Sequence, residues 1–303
     1  MNKDKLFDVI IIGGSYAGLS AALGLGRALR NVLVIDNGKP CNRQTPHSHN
    51  FLTQDGMIPS EINRLAKKDL EIYETVFFYN GFASHGNKTK KGFKITTKSG
   101  EIFNSKKLIV ATGIKDIMSD IEGFKESWGI SIIHCPYCHG YEVRNKATGI
   151  LGNSDYGFDF SKLISNWTKD LTLYTNGKSE LTQEQTEQLS LHQIPIIEKE
   201  IISFNQNNGH LNYIIFKDGT TIKIDALYAR VPFVQNSDIP KILGCEIDKM
   251  GYITVDNFQK TTVPGIYACG DNVSLIRSVA NAVGMGAKTA AMLNKELIDE
   301  EWL

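Results

Sequence analysis

Cysteine is scarce in this chain of 303 residues, and most of it is isolated. Five cysteines, an odd number, do not make an extracellular disulfide framework. Cys41, Cys245 and Cys269 stand alone, and without a second C-x-x-C there is no zinc ligand set to read, so no metal is expected. Net charge is equally absent. Thirty-three basic side chains balance 33 acidic ones, so no bulk charge recruits nucleic acid or an anionic membrane. No apolar run approaches the ~20 residues that a membrane helix needs. The opening Met-Asn-Lys-Asp-Lys leads into no secretory hydrophobic segment, which points to the cytosol. What remains is an ordinary globular composition in a chain long enough for two domains with substantial cores.

Against that background one stretch stands out: His134-Cys-Pro-Tyr-Cys-His-Gly-Tyr-Glu142. Cys135 and Cys138 have the C-x-x-C spacing that closes a small disulfide ring, and a helix beginning near Pro136 would lower a thiol pKa. Thiolates attack disulfides and thiols do not, so the arrangement suits thiol–disulfide exchange. His139 follows at once and can carry a proton at neutral pH. C-x-x-C-H is also the spacing of c-type haem attachment, which belongs outside the cytosol. A structural pair is the duller alternative.

The chain opens with a short β-branched run, Phe7 to Ile12, that ends at Gly13-Gly14-Ser15-Tyr16-Ala17-Gly18. A helical stretch and a second strand, Asn31 to Ile35, follow, and Asp36 closes the unit. Strand, glycine turn, helix, strand and terminal acid form the arrangement that binds an adenine dinucleotide. Gly13 permits the turn, Gly18 lets helix and strand approach, and Asp36 can accept from a ribose. Ser15 replaces the usual middle glycine, and its hydroxyl can donate to a phosphate. A helix is expected from Pro59 to Glu74, then an antiparallel meander from Val76 to Ile109. The last segment of the meander runs into the turn Ala111-Thr112-Gly113.

A second unit of the same kind begins near Ala147, with its turn at Gly152-Asn-Ser-Asp-Tyr-Gly157. This copy is eroded. Its second strand ends in Thr175-Asn176-Gly177, with neither an acid for a ribose nor arginines for a 2′-phosphate. Near the C-terminus, a short strand reaches Gly270-Asp271, and a helical pattern runs from Ser278 to Ile298.

Together these residues resemble the thioredoxin-reductase-like flavoproteins over nearly the whole chain. The resemblance implies an α/β fold of two Rossmann-like, three-layer dinucleotide-binding domains, the second inserted in the first. Residues 1–115 and 236–303 would form the FAD-binding domain, and 116–235 an NAD(P)-binding-like domain carrying the C-x-x-C. It further implies that Gly13, Ser15, Ala17, Gly18, Asp36, Thr112, Gly113, Gly270 and Asp271 bind FAD, with Asp271 on the ribityl chain. Val279 and Ala280 would offer N–H groups to the pyrimidine end of the flavin ring, and Arg43 would lie in a loop beside FAD, while His47 and His49 in the same loop read as surface or flavin-side residues. Cys138 would exchange electrons with the flavin and Cys135 would meet the substrate, in a homodimer.

Two departures refine this. His139 stands where reductases usually carry an aspartate, and Thr175-Asn176 stands where they carry arginines for NADPH. The segment Cys-Pro-Tyr-Cys-His-Gly-Tyr-Glu is closer to the gliotoxin- and holomycin-type dithiol oxidases, which pass electrons from a dithiol to FAD and on to oxygen. The expected activity is therefore dithiol oxidation through Cys135 and Cys138, with His139, or secondarily His134, as base. The substrate would be a small dithiol or a thioredoxin-like protein. A disulfide reductase fed by NAD(P)H or ferredoxin is the alternative enzyme, and a flavin redox sensor without turnover the alternative of another class.

Overall fold

Val9 to Ile12 contains no polar residue, and a strand of this kind needs cover on both faces. In the computed structural model of the chain, which describes residues 5–303, these four residues are 0–4% exposed. The strand Leu6–Ile12 pairs in parallel with Val32–Asp36 on one side and Ile102–Val110 on the other. The first helix, Tyr16–Arg27, makes the crossover between the first two of these strands. The C-terminal helix, Val279–Glu301, packs on it, and Ser20 Oγ donates to Val283 O at 2.7 Å.

The chain divides into two compact units. One contains residues up to Arg43, Asn50–Lys115 and Phe233–Leu303, and the other contains Gln44–His49 and Asp116–Pro232. Phe233–Gln235, expected in the inserted domain, groups with the first unit and pairs with Ile114–Asp116.

The first unit holds a seven-stranded sheet. Here the expected meander needs correction. Val76–Asn80 is not part of it but joins the sheet edge in parallel, with Val32 opposite Val76. The helix Pro59–Leu70 lies between the two strands in sequence, and a strand–helix–strand crossover returns the chain in the same direction. Only Ala83–Thr89, Gly92–Thr97 and Ile102–Val110 run antiparallel to their neighbours in turn.

The second unit repeats the plan with five parallel strands, in the order Ile196–Ile197, Leu171–Tyr174, Thr148–Leu151, Ala226–Ala229, Ile132–Ile133. A separate antiparallel sheet contains Ile201–Asn207, His210–Phe216 and Thr221–Lys223. No helix among the described residues is long and apolar enough to cross a membrane.

An ion cluster around the buried Lys107 ties the C-terminal helix to the first sheet. Lys107, 6% exposed, donates to Glu296 Oε1 at 2.6 Å and Glu300 Oε1 at 2.5 Å, and Tyr267 donates to Glu296 Oε2 at 2.8 Å. Burial alone would raise the Glu296 carboxyl, but hydrogen bonds from Lys107, Lys260 and Tyr267 outweigh it and hold the pKa at about 2. A carboxyl depressed in the folded state contributes stability that is present above its ordinary value of 4.5 and is lost as pH falls towards 2. Lys107→Met should cost about 1.5–3 kcal/mol at pH 7, the worth of hydrogen bonds to a charged group. Urea melts should show a lower midpoint at unchanged slope, and an unchanged midpoint would disprove the role given to Lys107.

Candidate active site

The buried strand Ile132–Ile133 delivers the chain to His134, and Cys135 caps the one-turn helix Pro136–His139. Cys135 keeps an extended backbone, and Pro136 fits the first helical position because its fixed φ suits a helix start. The N–H groups of Cys138 and His139 both turn back to Cys135 O, at 3.3 and 3.2 Å. That turn sets the two sulfurs side by side, 2.7 Å apart, both half-buried.

The remaining cysteines are poor candidates for exchange chemistry. Burial raises the Cys245 thiol and pushes that of Cys269 up to about 12, so neither forms a thiolate near pH 7. Cys41 lies with the first unit, its sulfur 3.7 Å from Asp271 Oδ2.

His139 sits beside the sulfur pair in sequence, but its environment differs from the expectation of a neutral-range proton carrier. Burial, reinforced by electrostatic repulsion from nearby His49, pushes its pKa down to about 4. It is neutral at pH 7, an acceptor rather than a stored proton. His49 Nε2 lies 3.6 Å from Glu142 Oε1, so two histidines and a carboxylate gather in this unit. His49 comes from the hexapeptide Gln44–His49, whose Gln44 Nε2 donates to Trp128 O at 2.8 Å. Nothing local in the sequence signals this placement. His134 instead stacks on Trp128, ring centroids 5.8 Å apart. Tyr137, between the two cysteines, and Tyr141, three residues beyond Cys138, are 64% and 66% exposed.

In the first unit the glycine turn is as tight as its sequence demands. Gly13 has φ +108°, and a Cβ there would stand 2.2 Å from Ala111 O. A Cβ on Gly18 would stand 1.9 Å from Gly13 O, so helix and strand meet only because none is present. Ser15 caps the helix without a side-chain cap bond, which leaves its hydroxyl for another use. Asp36 lies against Gly14, with Lys67 Nζ at 3.9 Å from Oδ2.

The Ala111-Thr112-Gly113 turn joins this cradle through Ala111 N to Ile12 O, 2.8 Å. Gly270 joins it too, since a Cβ there would be 3.0 Å from that of Ala17. Asp271 follows, with Arg277 Nε at 3.9 Å, a neighbour that sequence reasoning missed. Val279 and Ala280 open the C-terminal helix behind the N-cap Ser278. Arg43 is exposed and donates to Pro40 O at 3.1 Å. The buried oxygens of this unit that have no hydrogen-bond partner among the described residues include Asn42 Oδ1, Thr112 Oγ1 and Asn272 Oδ1. Buried polar atoms are normally paired, so a polar ligand in this cradle fits the donor and acceptor set.

Comparison with known proteins agrees with this geometry. The signature described as pyridine nucleotide-disulphide oxidoreductase matches residues 7–286. The chain is 30% identical to thioredoxin reductase tcpT of Claviceps purpurea, over 98% of this chain and 96% of that one. Among solved structures, an oxidoreductase from Agrobacterium tumefaciens is 35% identical with a TM-score of 0.92, covering 97% of this chain and 99% of its own. The structure of HlmI is 32% identical with a TM-score of 0.92, covering 98% and 94%. A paired C-x-x-C in one α/β unit, a glycine cradle in another and a family signature spanning both give one conclusion: the chain belongs to the pyridine nucleotide-disulphide oxidoreductase family and is an oxidoreductase of the thioredoxin-reductase-like kind.

Proposed function

We propose that this protein is an FAD-dependent thiol–disulfide oxidoreductase that oxidises a dithiol substrate through Cys135 and Cys138, with oxygen as the final acceptor. The observation that carries the choice of oxidase over reductase is the state of the second nucleotide turn. In the first unit Ser15 makes no side-chain cap bond, whereas in the second the chain uses its own groups. Ser154, at φ +50°, donates to Glu180 Oε2 at 2.6 Å, which puts a carboxylate at the start of the helix Ser154–Ile164. Asn153 Oδ1 accepts from Glu180 N at 2.8 Å, and Asn176 Oδ1 accepts from Ile201 N at 2.7 Å. The Tyr156 ring lies against Gly152. A pyrophosphate would meet a like charge and a filled turn.

The substrate reaction uses this chain's own atoms. A substrate thiolate attacks Cys135 Sγ, the bond to Cys138 breaks, and Cys138 leaves as a thiolate. The second substrate thiol gives its proton to neutral His139 and attacks the substrate sulfur of the mixed disulfide, which releases Cys135. The substrate leaves as a disulfide, and two electrons remain on the pair. Bound in the first unit, FAD supplies a two-electron sink that oxygen can empty. Gly13, Ser15, Ala17 and Gly18 would receive its pyrophosphate, Asp36 its ribose, and Thr112, Gly113 and Gly270 its central section. Asp271 would hold the ribityl chain, Val279 and Ala280 the ring's pyrimidine end, and Arg43 would lie beside it. A cytosolic homodimer completes the reading, and sedimentation at twice the mass of one chain tests the dimer.

Anaerobic stopped-flow tests the electron path. A dithiol should bleach the flavin, and peroxide should form when air is admitted. Fast bleaching by micromolar NADH or NADPH would overturn the oxidase reading in favour of a reductase. Asp271→Ala should release FAD more readily, by the ~1.5–3 kcal/mol of a charge-assisted hydrogen bond. Undiminished retention on a desalting column would remove Asp271 from the cofactor site.

A further inference from the structure

One buried side chain of the second unit remains unexplained by this scheme. Tyr228 is 0% exposed, and its hydroxyl has no hydrogen-bond partner among the described residues. An orphaned buried hydroxyl costs free energy and normally finds a partner. Its strand, Ala226–Ala229, runs beside Ile132–Ile133, with Tyr228 opposite Ile133, two residues before Cys135. The ring packs in a cluster that includes Ile133 and Val143, residues just before and just after the cysteine segment. Phe160 holds the ring edge-on, centroids 5.8 Å apart. The strand pairing and this packing set the ring among the residues that lead into and out of the segment carrying the two sulfurs.

We infer that the Tyr228 hydroxyl is a hydrogen-bond donor to the thiolate that forms when the Cys135–Cys138 bond opens. The inference rests on the proposed redox role of that pair. It explains why a hydroxyl persists at a site where phenylalanine would fill the same space without an unpaired group. Burial raises the pKa of this phenol well above its ordinary value, and negative charge on Cys135, Glu142 and Cys138 within electrostatic reach acts in the same direction. The group therefore stays protonated through the neutral range and can donate. Charge-assisted donation of this kind is stronger than a neutral hydrogen bond. It favours the reduced pair over the disulfide, and so makes the pair a better oxidant of its substrate.

The test is the reduction potential of the pair in wild type and Tyr228→Phe, measured by thiol trapping in glutathione buffers on the flavin-loaded protein. Loss of the donor should shift the equilibrium about tenfold towards the disulfide, which is ~30 mV more negative for a two-electron couple. The melting temperature of Y228F should be equal or higher, because an unpaired buried hydroxyl has been removed. An unchanged potential in a well-folded Y228F protein would overturn the inference while leaving the redox reading intact. A wild-type pair that stays reduced in every buffer would overturn both.

Discussion

Cys135→Ser and Cys138→Ser should each lower dithiol turnover by at least about 10⁴-fold, because in the proposed mechanism both sulfurs belong to one exchange device whose members fail together. Serine cannot enter the disulfide, so neither variant can pass electrons by the same route. The two losses should nevertheless differ in colour. With Cys135 replaced, Cys138 remains as a lone thiolate that, in the proposed role, donates charge to the oxidised flavin. A broad long-wavelength absorption band should then appear at neutral pH. With Cys138 replaced, the band should be absent, while Cys135 still forms mixed disulfides with a thiol reagent. The side chains are not equivalent in the fold: Cys135 caps the turn from an extended backbone, and Cys138 lies inside it. Identical spectra in both variants would reverse or erase the assignment of roles.

His139→Asn should slow the dithiol half-reaction by about 10²–10⁴, the usual loss when a positioned general base is removed. The pH profile carries the sharper information. A base works in its neutral form, and burial pushes the His139 pKa down to about 4. Its limb in the wild-type profile should therefore lie near pH 4, and none should appear near the ordinary histidine value of 6.5. The same depression has a stability consequence. The unfolded chain binds this proton below 6.5 and the folded chain only near 4, so the contribution is complete above 6.5 and lost as pH falls between the two. At 1.36 kcal/mol per unit, the full loss is about 3 kcal/mol. The His139→Asn variant has no such group to titrate, so its urea melts at pH 7 and pH 4.5 should converge relative to wild type. Parallel curves would mean that His139 is not buried neutral, and an unchanged rate would pass the proton to His134 or to water.

The turn at Gly13, the repeat that begins near Ala147 and the C-x-x-C were legible because each rests on short-range requirements. A positive φ at Gly13, a glycine at the helix–strand contact of Gly18 and a proline at the first helical position are local backbone matters. Alternation and apolar runs likewise exposed most strands. The parallel addition of Val76–Asn80 was hidden, because a strand's direction is set by its crossover rather than by its own residues. The same holds at the site. No window of sequence shows that Gln44–His49 crosses into the second unit, or that this brings His49 to Glu142 and into the field of His139. The identity of His139 could be read, but its pKa could not, since desolvation depends on what the rest of the chain packs around it. Thr175 and Asn176 showed in sequence that the second strand of that unit ends without an acid or an arginine. Only the fold placed Glu180 on Ser154, because that contact joins residues 26 positions apart through the meeting of a loop and a helix start.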